Sequence, residues 1–235
     1  MIVINSLHKS FGRNQVLKGI NLCIRDGVIT SVLGPNGSGK TTLIKSILGM
    51  VIPQQGSIEV NGLKILSKWQ YRKQIGYLPQ IAKFPENLKV KELIRMISDI
   101  RGNEGNPRPL IDSFGLNQIL EKPLRYLSGG TRQKVNILLA FMFDNPNYIL
   151  DEPTAGLDPL SLIRFKELLI TEKKNGKAIL ITTHIVSLVE ELADDIVFIL
   201  EGNIYFSGSI QELKAQQGSQ TLDQSIANIL THRHA

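Results

Sequence analysis

Three short stretches of this chain combine glycines, hydroxyls and charged side chains at spacings that suit phosphate chemistry. The first is "VLGPNGSGKTT", residues 32–42, which fits G-x-x-x-x-G-K-[ST] at Gly34, Gly39, Lys40 and Thr41. Glycines at such spacing let backbone N–H groups turn inward around a phosphate, and a helix starting at Lys40 adds its positive end. The loop residues Gly34, Pro35, Asn36, Gly37, Ser38, Gly39 and Thr42 would form the cradle. Lys40 would reach the β- and γ-phosphates, and the Thr41 hydroxyl would ligate Mg²⁺. A glycine-rich turn can match this spacing by accident, but here an apolar strand precedes it and a helical pattern follows, as the chemistry requires.

The second stretch, "NYILDEPTAGLD" (147–158), runs an apolar strand into two carboxylates. Asp151 stands where a buried strand would meet the phosphate site and can hold Mg²⁺ or its water ligands. Glu152 would face the water that attacks the γ-phosphate, where a general base contributes about 10²–10⁴-fold in rate. An acidic pair at a strand end is often only a helix cap, a reading that weakens once the first loop is accepted. The third stretch is "RYLSGGTRQK" (125–134), in which Ser128, Gly129 and Gly130 open a helix-like run and form a second anion site.

These groups need elements to hold them. Short Val- and Ile-rich runs predict strands at 1–4, 16–24, 28–33, 57–60, 75–78, 148–150, 178–182, 196–200 and 204–206. Helical spacing predicts helices at 40–48, 90–100, 130–143, 160–174 and 185–193. The strand–loop–helix rhythm at both ends implies an α/β fold with a mainly parallel sheet. Residues from about 88 to 143 lack convincing strands and read as a helical insert, with "GNEGNPRP" (102–109) as a surface loop inside it. The tail from 219 could form a short amphipathic helix using Leu222, Ile226, Ile229 and Leu230.

At 235 residues, with 42% apolar and 20% charged residues, the chain can bury one sizeable core with an inserted subdomain. Cys23 is its single cysteine, so an intramolecular disulfide is impossible, which fits a reducing compartment. The net charge of +6 permits an anionic partner, but the basic residues are scattered and form no block. The start is too short and too polar after Ile4 for a signal peptide. The longest apolar run, 137–143, is far below the roughly 18–20 residues of a membrane span.

"LSGG" at 127–130, taken with the two other stretches in their order, resembles the signature of ATP-binding cassette (ABC) proteins. The resemblance covers the chain from its first strands to about residue 215 and implies a P-loop NTPase core, an antiparallel β subdomain and an inserted helical subdomain. It implies one cassette domain over 1–218, a tail over 219–235, ATP and Mg²⁺ as cofactors, and a head-to-tail dimer with a second copy of the chain. Each ATP would lie between the phosphate loop of one copy and Ser128, Gly129 and Gly130 of the other. Phe11 resembles the aromatic that stacks on adenine, with Val16 beside the ribose. Gln80 resembles the glutamine that contacts Mg²⁺ and the attacking water, and 81–89 would meet a membrane permease. Asp158 resembles the aspartate that communicates across the dimer, although an Asp before proline is also a common helix cap. His184 resembles the histidine that contacts the γ-phosphate and fixes Glu152. Catalysis would thus fall to Glu152, His184, Gln80 and Lys40.

Thr131 departs from the commonest signature, which has glutamine there. "LSGGTRQKVNI" with "DNPNYILDEPTAGLDP" is similar to cassettes serving ABC-2-type permeases, and within those to NosF-type subunits of copper-handling systems that assist nitrous oxide reductase maturation. Such a subunit would be cytoplasmic and peripheral on the inner face of the cell membrane. The alternative from the same superfamily is a soluble ATPase acting on nucleic acid or the ribosome. Repair types need a long heptad insert, absent from 42–126, and translation types carry two cassettes, so no nucleic-acid partner is expected. A regulatory module without turnover is disfavoured by Glu152. His232 and His234 could bind a metal, but tail histidines are more often solvated.

Overall fold

The computed structural model describes residues 1–65 and 69–231. Among the described residues ten strands form two sheets: β1 (Ile2–Phe11), β2 (Asn14–Ile24), β3 (Ile29–Leu33), β4 (Gln55–Val60), β5 (Leu63–Lys64), β6 (Ile75–Leu78), β7 (Asn147–Asp151), β8 (Ala178–Thr182), β9 (Asp195–Leu200) and β10 (Asn203–Ser209). The helices are α1 (Lys40–Ile47), α2 (Val90–Arg101), α3 (Arg108–Ser113), α4 (Gly129–Phe141), α5 (Pro159–Lys174), α6 (Val186–Leu192), α7 (Ile210–Gln217) and α8 (Leu222–Thr231).

The larger sheet has the order β10-β9-β3-β8-β7-β6. All its pairs are parallel except β9 with β10, which are antiparallel neighbours in sequence. Strands β3, β7 and β8 are buried at every position, as expected where helices cover both faces of a parallel sheet. The smaller sheet, β2-β1-β4-β5, is antiparallel. Its apolar residues Ile2, Ile4, Leu7, Leu17, Ile20 and Ile58 share one core with Leu43, Ile44 and Ile47 of α1. Between β6 and β7 the described chain is helical, and Val90, Leu93, Leu110, Phe114 and Val135 join a second core with Phe165 and Leu169 of α5. Each such side chain contributes about 1.5–3 kcal/mol when fully buried.

Several features differ from the sequence expectation, among them the short strand β5, which no predicted strand covers. Strand β1 continues to Phe11 rather than stopping at residue 4. Its register shifts between Ile4 and Leu7, where Ser6 adopts φ 45°, so the apolar alternation skips one position and the strand reads as ended. Helix α3 starts inside the stretch read as a loop, with a proline in its first turn. Helix α7 lies outside the expected helices, although Ser209 and Glu212 form a reciprocal capping box, S-x-x-E. In α8, Leu222 and Ile229 are buried against α6 and α7, but Leu230 faces solvent.

Candidate active site

Strand register sets the site. Val32 and Asp151 both stand opposite Thr182, and Leu78 stands opposite Leu150. The segments that leave β3, β6, β7 and β8 therefore emerge at one edge, the carboxyl ends of parallel strands, where ligands bind in open α/β sheets. A cleft of about 350 Å³ lies there. It brings together Phe11, Val16, Asn36, Gly37, Gly39, Lys40, Thr41, Thr42, Gln80, Asp151 and Glu152. Asn14 and Thr182 line it too, and sequence reasoning passed over both. Thr182 carries a signal in hindsight, being the polar residue that closes the otherwise apolar strand "AILIT".

The phosphate loop is shaped from beneath by residues outside the cleft lining. Gly34 has φ 146°, and a Cβ on it would lie 2.1 Å from the backbone oxygen of Ile199 in β9. No other residue type fits between that strand and the loop. Ser38 Oγ is buried with no hydrogen-bond partner, an orphan hydroxyl in the loop. Lys40 Nζ donates to the backbone oxygens of Gly34 (2.6 Å) and Pro35 (3.0 Å). Burial pushes the Lys40 ammonium below its ordinary pKa, while Glu152 and Asp151 pull it back up.

The two carboxylates differ in setting. Asp151 is buried and accepts a hydrogen bond from Thr182 Oγ1 at 2.5 Å. Glu152, the next residue, sits in the left-handed region at φ 48°. A non-glycine residue there stores about 1–3 kcal/mol unless its surroundings over-determine it. Its N–H donates to the backbone oxygen of Thr182 at 3.0 Å, and its Oε2 lies 3.0 Å from His184 Nδ1. His184 is outside the cleft lining and 83% exposed, whereas Glu152 is 16% exposed.

Ser128, Gly129, Gly130 and Asp158 do not line this cleft. Ser128 caps α4, accepting from Thr131 N–H at 3.3 Å, and its hydroxyl pairs with Thr131 Oγ1 at 2.9 Å. Thr131 thus braces the serine that its usual glutamine counterpart would neighbour. Ser128 and Gly129 are exposed. The start of α4 is tied to the loop after Glu152 in three ways. Gln133 Nε2 donates to the Pro153 oxygen at 2.7 Å, and Lys134 pairs with Asp158 at 2.7 Å. Gly130 packs so closely on Gly156 that a Cβ would lie 2.4 Å from its oxygen. Asp158 also caps α5 through the Ser161 N–H and hydroxyl, both at 2.9 Å. The Lys134 ammonium, then the Ser161 donors, hold the Asp158 carboxyl well below the usual range. His232 and His234 lie outside the described residues.

Residues 17–155, more than half of the chain, match the family described as ABC transporter. The chain belongs to that family. It is an ATPase cassette. Over 231 residues it is 33% identical to the lantibiotic transport ATP-binding protein SrtF of Streptococcus pyogenes, covering 97% of this chain and 96% of that one. It is 32% identical over 224 residues to the ABC-type transporter ATP-binding protein EcsA of Bacillus subtilis, covering 93% and 91%. A solved ATP-binding subunit of an ABC transporter superposes with a TM-score of 0.94 at 30% identity, covering 98% and 99%.

This cassette's residues suit ATP and Mg²⁺. The orphan Ser38 hydroxyl, the Lys40 ammonium and the loop N–H groups are all donors, as a phosphate chain requires. Thr41, Gln80 and Asp151 offer only oxygen ligands, few in number, which fits a cation that keeps waters and substrate phosphates around it. No helix among the described residues is long and apolar enough to cross a membrane.

Proposed function

We propose that this cassette works as a head-to-tail dimer, each ATP held by the cleft of one copy and by Ser128, Gly129 and Gly130 of the other, and that its closing and reopening drives an ABC-2-type permease. The chain would then sit in the cytoplasm against the inner face of the membrane. Mg²⁺ would supply charge neutralisation at the phosphates, held by Thr41, Asp151 and Gln80. Phe11, which is 51% exposed, offers a face for adenine, with Val16 beside the ribose. Lys40 would exchange the Gly34 and Pro35 oxygens for phosphate oxygens. Glu152 Oε1 or Oε2 would take the proton of the attacking water, with His184 Nδ1 holding that carboxylate in place. Phosphate loss removes the anion that both halves grip, so the copies part.

One observation supports a partner beyond the second copy. An apolar groove of about 410 Å³ has Ile81 in its lining, the residue that follows the cleft's Gln80. Ile81, Phe84 and Glu86, just after Gln80, form one side, and Arg132, Val135 and Asn136 of α4 form another. Arg132 and Glu86 pair at 3.0 Å. A helix seated there would touch both the segment leaving the nucleotide cleft and the helix that starts with the signature. In its narrower form the permease belongs to a copper-handling system, a reading that rests on the stretches "LSGGTRQKVNI" and "DNPNYILDEPTAGLDP".

The test is Ile81→Asp, at a groove residue 72% exposed. Co-purification with the permease from membranes should be lost while the isolated protein still hydrolyses ATP. Unchanged co-purification would move the permease elsewhere on the surface.

A further inference from the structure

We infer that Thr182 is a positioning residue for the nucleotide site, its side chain fixing the Asp151 carboxylate and its main chain fixing Glu152. This rests on the reading of the cleft as an ATP·Mg²⁺ site, and on four observations that single out Thr182 from the rest of β8.

Thr182 stands opposite Asp151 in the parallel pairing of β7 and β8. Both residues are buried, at 1% and 7% exposure. A buried carboxylate without a donor is costly, and Thr182 Oγ1 supplies that donor at 2.5 Å to Oδ1. Among the described residues the other oxygen, Oδ2, accepts no hydrogen bond, so one lone-pair system is spent on the protein and the other is left for a cation or its water. The hydroxyl therefore selects which carboxylate oxygen is offered and locks the rotamer that offers it.

The same residue grips the neighbouring carboxylate through its backbone. The Thr182 oxygen accepts from Glu152 N–H at 3.0 Å, one residue beyond the register pair, and so helps to hold Glu152 at φ 48°. Two residues further on, His184 meets the Glu152 side chain. The end of β8 is thus a template for both acids, and of the two contacts made by Thr182 only the hydroxyl one depends on the side-chain type. Valine, with the same branched shape, would keep the strand and the backbone grip while leaving Asp151 without its donor.

The experiment compares Thr182→Val, Thr182→Ser and Asp151→Asn by electron paramagnetic resonance of Mn²⁺ binding to the ADP-loaded protein. ADP affinity in EDTA and thermal stability are measured alongside. Loss of a hydrogen bond that orients a metal ligand lowers metal affinity about 10–100-fold. Thr182→Val should weaken Mn²⁺ binding by about that factor, with ADP affinity in EDTA within roughly threefold of wild type, and Thr182→Ser should restore it. A hydroxyl that only stabilised the strand would shift melting without separating these two affinities. If Thr182→Val does not fold, Thr182→Ala is read the same way. Weak binding in Asp151→Asn together with wild-type binding in Thr182→Val would overturn this inference alone. Wild-type binding in Asp151→Asn would overturn the reading of the cleft beneath it.

Discussion

Gly130 and Gly129 are adjacent in the signature, yet the fold makes opposite demands on them, and alanine at each tests this. A Cβ at Gly130 would stand 2.4 Å from the Gly156 oxygen, while one at Gly129 meets nothing within 4 Å. The Gly130 contact is about 1 Å inside ordinary van der Waals distance. Gly156 cannot yield easily, because its own backbone sits at φ 75° in the loop that joins Glu152 to Asp158. Overpacking of this kind costs about 1–3 kcal/mol, and the better helix propensity of alanine returns up to about 1 kcal/mol. At the middle of both ranges the net loss is about 1.5 kcal/mol, which corresponds to roughly 3–6 °C in melting temperature for a chain of this size. Calorimetry on nucleotide-free protein should show that drop for Gly130→Ala, and no drop for Gly129→Ala. A shift of about 1 Å in the Glu152–Asp158 loop should also cut turnover by about 10²-fold. Should both variants melt with the wild type, or should Gly129→Ala fall as far as Gly130→Ala, the packing argument would be wrong.

Glu152→Gln should lower phosphate release by about 10²–10⁴-fold while ATP still binds, and should trap an ATP-bound dimer in gel filtration; equal turnover would remove Glu152 from the base role. Ser128→Arg should abolish turnover and leave nucleotide binding by the phosphate loop intact, since Ser128 does not line that cleft; persistent turnover would refute the shared site. The Asp158 carboxyl is held below its ordinary pKa, so its contribution is complete above the unfolded value near 4 and fades as pH falls towards the folded value. Asp158→Asn should therefore lose stability at pH 7, and its gap to wild type in urea melts should narrow progressively as pH falls below about 4; a gap independent of pH would contradict the assignment.

Much of the site was legible because phosphate chemistry needs particular residues in contiguous stretches. A cradle of N–H groups demands glycines beside Lys40 and Thr41, and the strand before Asp151 must be apolar to be buried, so both left local patterns. The central strands were read for the same reason: "ITSVL", "NYILD" and "AILIT" are buried at every residue. The continuation of β1 beyond Ile4 and helix α3 were not, since a bulge at Ser6 and a proline at the helix start disguise regular structure as its end.

Local pattern alone singles out the candidate residues, because glycine, lysine and carboxylate at fixed short spacing have few other uses together. Their neighbours came from sheet order and packing. Register between β7 and β8 put Thr182 against Asp151, which are 31 residues apart. Packing of α4 on the loop at Gly156 made Gly130, rather than Gly129, the glycine that the fold cannot replace. The placement of Ser128 outside the cleft came from that same packing. Contacts between distant segments arise from sheet order and helix packing, and these leave no local pattern in the chain.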